Sequence, residues 1–370
     1  MKYINQSLNR REFLKRSFFT AGGLLVLPHT TGKLVMLQDW PTGEALGRNT
    51  VYLPSSLPIR SRPTIDGTVV RNLAEDECIP WYREVIGERP VGRPSKTWVE
   101  TTEGYVYSPS LQKVQNIPNT PLSELPDFGG ERGVWVEVTQ PFVQLELENP
   151  IAQSPWLKNV PSTLWRLYYG QVIWCNGIRS TDDGQTQYHL VEKYGYDSFW
   201  ANATAFKPLT AEDMTPINPD ASGKRILVNV NQQTLSCFEE NNEVFFCQIS
   251  TGIKYDAFGL PDDTFKTPEG AYNIWRKAVG FHMGGGARED GWDIIAVPWT
   301  MLFVGSGVAI HGAFWHNDFG TPKSHGCVNA RPEDAKWIFR WTSPQVPYYP
   351  GDVTITNFDS TIIEVIEPLY

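Results

Sequence analysis

Three of the chain's six histidines and the last of its five cysteines lie within one short segment, at His311, His316, His325 and Cys327. A thiol with its ordinary pKa of about 8.5 is mostly protonated at neutral pH, so a nucleophilic cysteine needs a base or a positive field. His325 stands two positions before Cys327 and shares its face if the strand is extended. His311 lies sixteen positions upstream and could approach from a neighbouring strand. Either imidazole could take the thiol proton, so the segment predicts thiol-dependent acyl transfer.

Gly326 separates the nearer histidine from the cysteine. A glycine lets the backbone pass close to a bound substrate, which would leave the amide hydrogens of Gly326 and Cys327 free to face a developing oxyanion. Amide donors of this kind commonly lower the barrier by about 3 kcal/mol. We therefore expect an oxyanion pocket at these two amides.

The letters Ile-His-Gly at 310–312 and Ser-His-Gly-Cys-Val-Asn at 324–329 resemble the signature of the L,D-transpeptidases. These are the YkuD-type cysteine enzymes that cross-link peptidoglycan. The resemblance implies that His311 is the general base and Cys327 the acylated nucleophile. It implies supporting roles, in orienting the donor peptide or forming the oxyanion pocket, for His325, Gly326, Ser324 and Asn329.

Many members of this family carry arginine two residues after the cysteine. This chain has Asn329 there, and Arg331 follows two positions later. The sequence fits an asparagine-bearing branch, and it leaves open which residue receives a substrate carboxylate. Arg331 is kept as a candidate substrate-binding residue.

Two other interpretations of the same residues remain. Imidazole and thiolate are normal zinc ligands, so His311, His316, His325 and Cys327 could form a zinc site. Their spacing matches no short zinc pattern, and His316 is better interpreted as a loop or rim residue. An inert buried thiol is the common fate of a lone cysteine, but the Ser-His-Gly flank argues against it. We expect neither a metal nor an organic cofactor.

The N-terminal segment predicts export. The run Asn-Arg-Arg-Glu-Phe-Leu-Lys at 9–15 precedes an apolar run at 18–27, which resembles a twin-arginine secretion signal. The alternative is an amphipathic first helix. The apolar run is shorter than the about 20 residues of a spanning helix, and no clear Ala-x-Ala cleavage site follows. Residues 1–40 are therefore predicted to direct the chain to the extracytoplasmic cell envelope, either cleaved or kept as a membrane anchor.

Composition predicts a β-rich, multidomain chain. It holds 13% aromatic residues, 14 Trp, 31 Gly and 28 Pro, and few long stretches have helical periodicity. A net charge of −9 and a pI near 5.3 argue against nucleic acid as a partner and against simple adhesion to acidic polymers.

The odd cysteine count leaves at least one thiol unpaired. Cys237 and Cys247 flank a hairpin turn, but a two-residue loop would place them on opposite faces, so no disulfide is predicted there.

The fold class is predicted to be mainly β. Short aromatic strands at 50–115, ending in Gly-Tyr-Val-Tyr at 104–107, resemble an SH3-like barrel, and residues 131–212 repeat the style. These two barrels either bind wall or peptide ligands or serve as spacers whose aromatics fill their own cores. Residues 213–223 read as a linker.

Residues 224–357 are predicted to form a YkuD-like β-sandwich catalytic domain. Three alternating strands begin it, and Pro332-Glu333-Asp334 marks a helix N-terminus. A glycine-rich excursion at 281–288 is a candidate lid that excludes water from the site. Met283, Trp299 and Trp315 would then line the substrate channel, with ordinary core packing as the alternative for each.

The resemblance implies peptidoglycan stem peptides as partners. A Cys327 thioester would form on a donor tetrapeptide with loss of its terminal D-alanine, and an acceptor amine would resolve it. Two alternatives stay open. Water could replace the amine, which makes the protein an L,D-carboxypeptidase, or the domain could be an inactive wall-binding scaffold.

Overall fold

The structure is a computed structural model that describes residues 40–51, 55–90, 92–192, 197–255, 260–285, 292–357 and 359–368. The part from Trp40 onward forms one compact unit. The predicted export signal at 1–40 lies outside the described residues except for Trp40. No helix among the residues described combines the length and apolar character needed to cross a membrane.

The fold is mainly β, as predicted. Its first part, here called module 1, contains two antiparallel sheets with strand orders β4-β1-β8 and β3-β2-β7-β6-β5. Its described strands are β1 (Ala45–Asn49), β2 (Leu57–Arg60), β3 (Val69–Leu73), β4 (Cys78–Pro80), β5 (Arg83–Ile86), β6 (Thr97–Thr101), β7 (Gly104–Tyr107) and β8 (Leu111–Gln115). Strand β1 starts before the predicted barrel boundary at residue 50, and its full-length pairing with β8 makes it part of this module.

Module 2 follows with sheets of order β11-β15-β14-β13-β9-β16 and β10-β12. Its described elements are β9 (Val134–Val138), β10 (Phe142–Gln144), β11 (Glu146–Leu147), helix α1 (Pro155–Asn159), β12 (Arg166–Tyr168), β13 (Val172–Ser180), β14 (Thr186–Val191), β15 (Ser198–Asn202) and β16 (Phe206–Pro208). Strands β12 and β13 are separated by a turn at Gly170, whose φ of +84° suits glycine.

The C-terminal part is a sandwich of two five-stranded sheets, β19-β18-β17-β26-β20 and β24-β23-β22-β21-β25. Apolar side chains from both sheets share one core with the second helix, and this confirms the predicted β-sandwich. Its described elements are β17 (Lys224–Asn229), β18 (Thr234–Glu239), β19 (Asn242–Gln248), β20 (Gly270–Asn273), β21 (Arg276–Gly285), β22 (Trp292–Leu302), β23 (Ala309–Gly312), β24 (Val328–Ala330), α2 (Pro332–Trp341), β25 (Asp352–Thr354) and β26 (Ile362–Ile366).

Helix α2 begins where the sequence predicts it. Pro332 occupies the first turn together with Glu333 and Asp334, and Arg340 lies in the last turn, so the charges complement the helix dipole. Its buried side chains face the sandwich core, so the helix supports β22 and β23 from behind.

Strand β26 was not predicted, because it lies beyond the predicted domain end at residue 357. It pairs in parallel with β17 and antiparallel with β20, so it is an interior strand of its sheet. Residues 362–366 therefore complete the sandwich.

Cys237 and Cys247 are free thiols, as expected, but the reason given for this was wrong. A register shift between Cys237 and Phe238 absorbs one residue of the hairpin. Both thiols consequently face the core rather than opposite sides of the sheet. They pair with Phe245 and Leu235, not with each other.

Candidate active site

Two neighbouring strands carry the predicted catalytic residues. Strands β23 and β24 run parallel, and His311 lies opposite Asn329 in their register. Cys327 immediately precedes β24, and its thiol accepts a hydrogen bond from the backbone of Ala309, two residues before His311. Ile310 and Val328, each one position before His311 and Asn329, face the sandwich core. The fold thus brings the thiol to the strand that carries the imidazole.

The His311 imidazole is buried and has one nitrogen engaged. Its Nδ1 lies 3.2 Å from the backbone oxygen of Gly312, which can only accept a hydrogen bond. Nδ1 therefore carries the proton in the neutral ring, and Nε2 presents a free lone pair. Burial lowers the pKa of His311 to about 4, although the Gly312 hydrogen bond acts in the opposite direction. The ring is consequently a neutral base at physiological pH.

Cys327 is partly buried beside β23. Burial raises the pKa of its thiol to about 11, and a hydrogen bond from the backbone of Ala309 opposes the shift in part. A neutral thiol next to a neutral imidazole is therefore the resting state, in place of a preformed thiolate. Proton transfer to His311 must accompany attack on the substrate.

The turn that precedes Cys327 is held by its own side chains. Ser324 Oγ donates to the Cys327 carbonyl at 2.5 Å and accepts from the Gly326 amide at 3.1 Å. Thr267 Oγ1 donates to the Gly326 carbonyl at 2.8 Å. The φ of +116° at Gly326 is one that other residues rarely adopt. The expectation that the Gly326 amide faces an oxyanion was wrong, because Ser324 occupies it.

His325 does not share a face with Cys327. The backbone bends at 325 and 326, so the extended geometry that would align the two side chains is absent. The His325 ring is exposed and meets Phe265 edge-on, with ring centroids 4.4 Å apart. His325 therefore lies at the rim of the site, and its supporting role stays a prediction.

Trp315 and Arg331 lie close to the predicted pair. The ring of Trp315 is partly exposed, and its centroid is 5.6 Å from that of His311. Arg331 precedes α2, where its guanidinium lies over the Phe319 ring and 3.6 Å from an Asp334 oxygen. Trp315 thus forms a wall beside the base, whereas Arg331 is already engaged by protein groups.

Trp299 and Met283 lie elsewhere. Trp299 is fully buried against Phe339 in the sandwich core, so the prediction that it lines a substrate channel was wrong. Met283 pairs with Ile294 toward the far end of the β21–β22 hairpin. Along β22, Ile294 is seven residues from Met301, the register partner of Ile310 beside His311, which corresponds to about 23 Å at the usual rise per residue.

The described part of the β21–β22 hairpin is fastened to module 2. Ile295 and Ala296 belong to the core of module 2. His282 Nδ1 lies 2.6 Å from a Glu192 oxygen, and its Nε2 contacts Asp293. These attachments fasten the described part of the hairpin, whereas residues 286–288 of the predicted lid lie outside the described residues.

His316, interpreted from the sequence as a rim residue, is buried inside the site. Its Nδ1 lies 3.1 Å from the backbone nitrogen of Asp318, and its Nε2 lies 3.0 Å from the Asn329 side-chain amide. Its position five residues after His311 was the available signal, but spacing alone did not distinguish a rim residue from an inward one.

Module 1 contacts the segment between His311 and Asp318. Asn317 donates its backbone amide to Pro109 at 3.2 Å and its side-chain amide to Ser108 at 3.0 Å. The ring of Phe314 stacks on Tyr168 of module 2 with centroids 5.8 Å apart. Both N-terminal modules therefore support this wall of the site.

The metal alternative finds no support in the geometry. Within the described ranges, no group of three or more His, Cys, Asp or Glu side chains is arranged to hold a metal ion. The contacts of His316 with the Asp318 amide and Asn329 occupy both of its nitrogens.

The residues that contain this site match one protein family. Residues 223–355 match the family model of the YkuD L,D-transpeptidase catalytic domain. A mutant Enterococcus faecium L,D-transpeptidase is 20% identical, with 39% of this chain and 49% of that chain covered and a TM-score of 0.30. An L,D-transpeptidase from Mycobacterium smegmatis is 15% identical, covering 60% and 99% with a TM-score of 0.30. The chain spans about half the length of the E. faecium chain. A comparison with curated protein sequences gave no match.

Proposed function

We propose that this protein, whose residues 223–355 form a YkuD L,D-transpeptidase catalytic domain, cross-links peptidoglycan through a Cys327 thioester. One observation carries the proposal. Cys327 directly precedes the strand that pairs in parallel with the His311 strand, and its thiol is hydrogen-bonded to the backbone of Ala309, two residues before the histidine. His311 Nε2 carries the lone pair that can take the thiol proton.

The first displacement acylates the enzyme. As Cys327 Sγ attacks the carbonyl of the third residue of a donor tetrapeptide, its proton passes to His311 Nε2. The imidazolium then protonates the departing amine, and the terminal D-alanine leaves as the carbon–nitrogen bond breaks. The products are a thioester and a neutral His311.

The second displacement releases the product. An acceptor amine attacks the thioester carbonyl, and His311 Nε2 takes a proton from the attacking nitrogen. The carbon–sulfur bond breaks, and the sulfur recovers a proton from the imidazolium. A new amide joins the two stems, and the enzyme returns to its neutral pair.

Because the Gly326 amide is bonded to Ser324, two other groups are candidate oxyanion donors. The backbone amide of Cys327 is one, and the side-chain amide of Asn329, opposite His311 in register, is the other. Donors placed where charge develops are worth about 10²-fold or more each in rate. Trp315 would shield the acyl intermediate from one side.

The test is product analysis with the full chain. A disaccharide tetrapeptide is incubated with the protein, and the products are separated and weighed by mass spectrometry. A cross-linked dimer that has lost one D-alanine is expected. A tripeptide as the sole product would replace transpeptidation by L,D-carboxypeptidation.

Matched cysteine variants locate the chemistry. Cys327→Ala should abolish product, whereas Cys78→Ala, which changes a partly buried thiol in module 1, should leave the yield unchanged. A wild-type chain that forms neither product nor a covalent adduct with a carbapenem would instead fit an inactive wall-binding protein.

The N-terminal parts extend the proposal. The arginine pair and apolar run within residues 9–27 support export through the twin-arginine route to the cell envelope. Modules 1 and 2 would then act outside the cytoplasm, as supports of the site with or without a wall-binding role. Replacing Arg10 and Arg11 by lysine should retain the protein in the cytoplasm, as cell fractionation would measure. Unchanged export would contradict the route.

A further inference from the structure

The buried pair formed by His316 and Asn329 has a constrained hydrogen-bonding pattern. Asn329 is 1% exposed and His316 6% exposed, so neither amide nor imidazole can rely on bulk water. Their side chains meet at 3.0 Å through His316 Nε2. A buried contact of this kind must match one donor with one acceptor.

The tautomer of His316 follows from its other nitrogen. Nδ1 faces the backbone N–H of Asp318 at 3.1 Å, and a backbone N–H can only donate. Nδ1 must therefore accept, which places the proton of the neutral ring on Nε2. Burial together with the positive charges of Lys323 and Arg331 lowers the pKa of His316 to about 3, so the neutral ring persists at physiological pH.

The tautomer fixes the orientation of Asn329. Because Nε2–H donates, the amide must offer its oxygen to His316, and the NH2 group must occupy the opposite position. The atom now placed in that opposite position, Oδ1, is buried without a hydrogen-bond partner. With the amide in the orientation that His316 requires, this position holds a buried donor awaiting an acceptor.

That donor lies on the catalytic face. Asn329 is the register partner of His311 on β23, and it follows Cys327 by two residues. Its backbone is held on the other side by a reciprocal pair of hydrogen bonds with Ser250, at 2.8 and 2.9 Å. The side chain is thus the movable part of an otherwise fixed residue.

We propose that His316 is a positioning residue, which holds the Asn329 amide with its NH2 group toward the carbonyl that Cys327 attacks. The inference rests on the proposed acyl transfer and deepens it. His316 itself touches no reacting atom. Its Nε2–H keeps the amide oxygen turned away, so the donor is in place before the oxyanion forms.

The test compares two reactions of the same thiol in the full chain. Acylation by a carbapenem forms an oxyanion, whereas alkylation by iodoacetamide does not. His316→Leu removes the donor to Asn329 and should slow acylation about tenfold while alkylation stays within about twofold. His316→Gln can place an amide donor near the former Nε2, and acylation should recover to within about threefold of wild type.

A double-mutant cycle separates positioning from general support. Asn329→Ala alone should slow acylation about 100-fold, and adding His316→Leu should cost less than about twofold more. His189→Leu, a matched change at a histidine that contacts Glu148 in module 2, should leave acylation unchanged. The assignment would be overturned if the losses from His316→Leu and Asn329→Ala multiplied in the double variant. It would also be overturned if His316→Leu slowed acylation and alkylation equally.

A direct readout of the tautomer keeps the inference separate from the proposed function. With histidine labelled by ¹⁵N, long-range proton–nitrogen spectra should report His316 protonated at Nε2. Protonation at Nδ1 would overturn the inference even if the enzyme acylates. A wild-type chain that resists the carbapenem but has the Nε2–H tautomer would contradict acyl transfer, and the proposed positioning with it.

Discussion

The Arg48 guanidinium in module 1 donates a hydrogen bond, 3.1 Å long, to the backbone carbonyl of Phe314, three residues after His311. The same guanidinium is fully buried, pairs with Asp76 and donates two hydrogen bonds to Gln112 Oε1. Asp76 in turn binds Arg166 of module 2. A single buried ion cluster thus joins both N-terminal modules to the catalytic segment.

Arg48→Met should destabilise the protein and slow acylation of Cys327. The substitution leaves the buried Asp76 with only Arg166 as a charged partner and removes a donor from the Phe314 carbonyl. Breaking one side of a buried pair typically costs about 3 kcal/mol in the free energy of unfolding. Acylation should fall several-fold, because the segment that carries Trp315 and His316 loses an anchor.

Denaturant unfolding and carbapenem acylation measure the two effects. Arg83→Met is the matched control, since Arg83 pairs with Glu100 at the surface and is 70% exposed. It should change the free energy of unfolding by no more than about 1 kcal/mol. Equal losses in the two variants would show that the buried cluster has no special role.

Acylation should persist in mild acid. An ordinary histidine with a pKa of about 6.5 loses most of its basic form between pH 7 and pH 5.5. Because burial lowers the pKa of His311 to about 4, its neutral form is retained across that interval. The rate constant for Cys327 acylation, followed by mass spectrometry, should therefore change less than about twofold.

The alkaline side supplies the control. With a thiol pKa of about 11, alkylation of Cys327 by iodoacetamide should keep rising up to pH 10 and beyond, whereas an ordinary thiol levels off above about pH 9. An acylation rate that falls about eightfold between pH 7 and pH 5.5 would contradict the neutral-pair description.

The attachment of the β21–β22 hairpin should weaken in strong base. Burial alone would lower the pKa of His282, but its contacts with Glu192 and Asp293 outweigh burial and raise it to about 9. A raised folded-state pKa contributes stability that is complete below about pH 6.5 and lost as the pH rises through about 9. The contribution is about 2–3 kcal/mol in the free energy of unfolding.

His282→Gln provides the comparison. Unfolding free energies measured at pH 6 and pH 10 should converge between wild type and variant at the higher pH. A difference that stays constant with pH would show that the imidazolium charge is not what fastens the hairpin.

Lys277→Met should be strongly destabilising. The ammonium of Lys277 is buried and donates to the carbonyls of Phe339, Thr342 and Pro344 at 2.7, 2.7 and 2.8 Å, where α2 ends. Methionine keeps the volume but leaves these acceptors unpaired, at a cost of about 3 kcal/mol in the free energy of unfolding. Thermal unfolding measures the loss.

Lys113→Met is the control for that change. Lys113 is exposed on β8, so its replacement should alter stability by about 0.5 kcal/mol or less. If both variants unfolded at the same temperature, the carbonyls at the end of α2 would not depend on Lys277.

Local pattern predicted much of the fold. The strand at 104–107 has the bounds expected from the sequence and helix α2 begins at the expected residue, because alternation and a Pro-Glu-Asp start are local signals. The hairpin that contains Cys237 and Cys247 shows the limit. A bulge shifts the register without any change in composition, so a count of residues gave the wrong face.

The motif predicted that His311 and Cys327 approach each other from neighbouring segments, but the surroundings of the two residues depend on long-range contacts. The sequence shows an apolar Trp299 close to the motif along the chain. It does not show that the ring of Phe339 packs against it. His316 likewise points inward because its two ring nitrogens form hydrogen bonds with the Asp318 backbone amide and the Asn329 side chain. Burial by a distant segment carries no periodic signature, so these placements needed the structure.

Strand β26 has a consequence for biosynthesis. The ribosome makes β17 and β20 well before the strand that must lie between them, so this sheet stays split until residues 362–366 have been translated. A chain cut before Ile362 would expose one edge of β17 and detach β20, and open strand edges invite intermolecular pairing. Expression trimmed to the family boundary at residue 355 should therefore yield aggregates rather than a working domain.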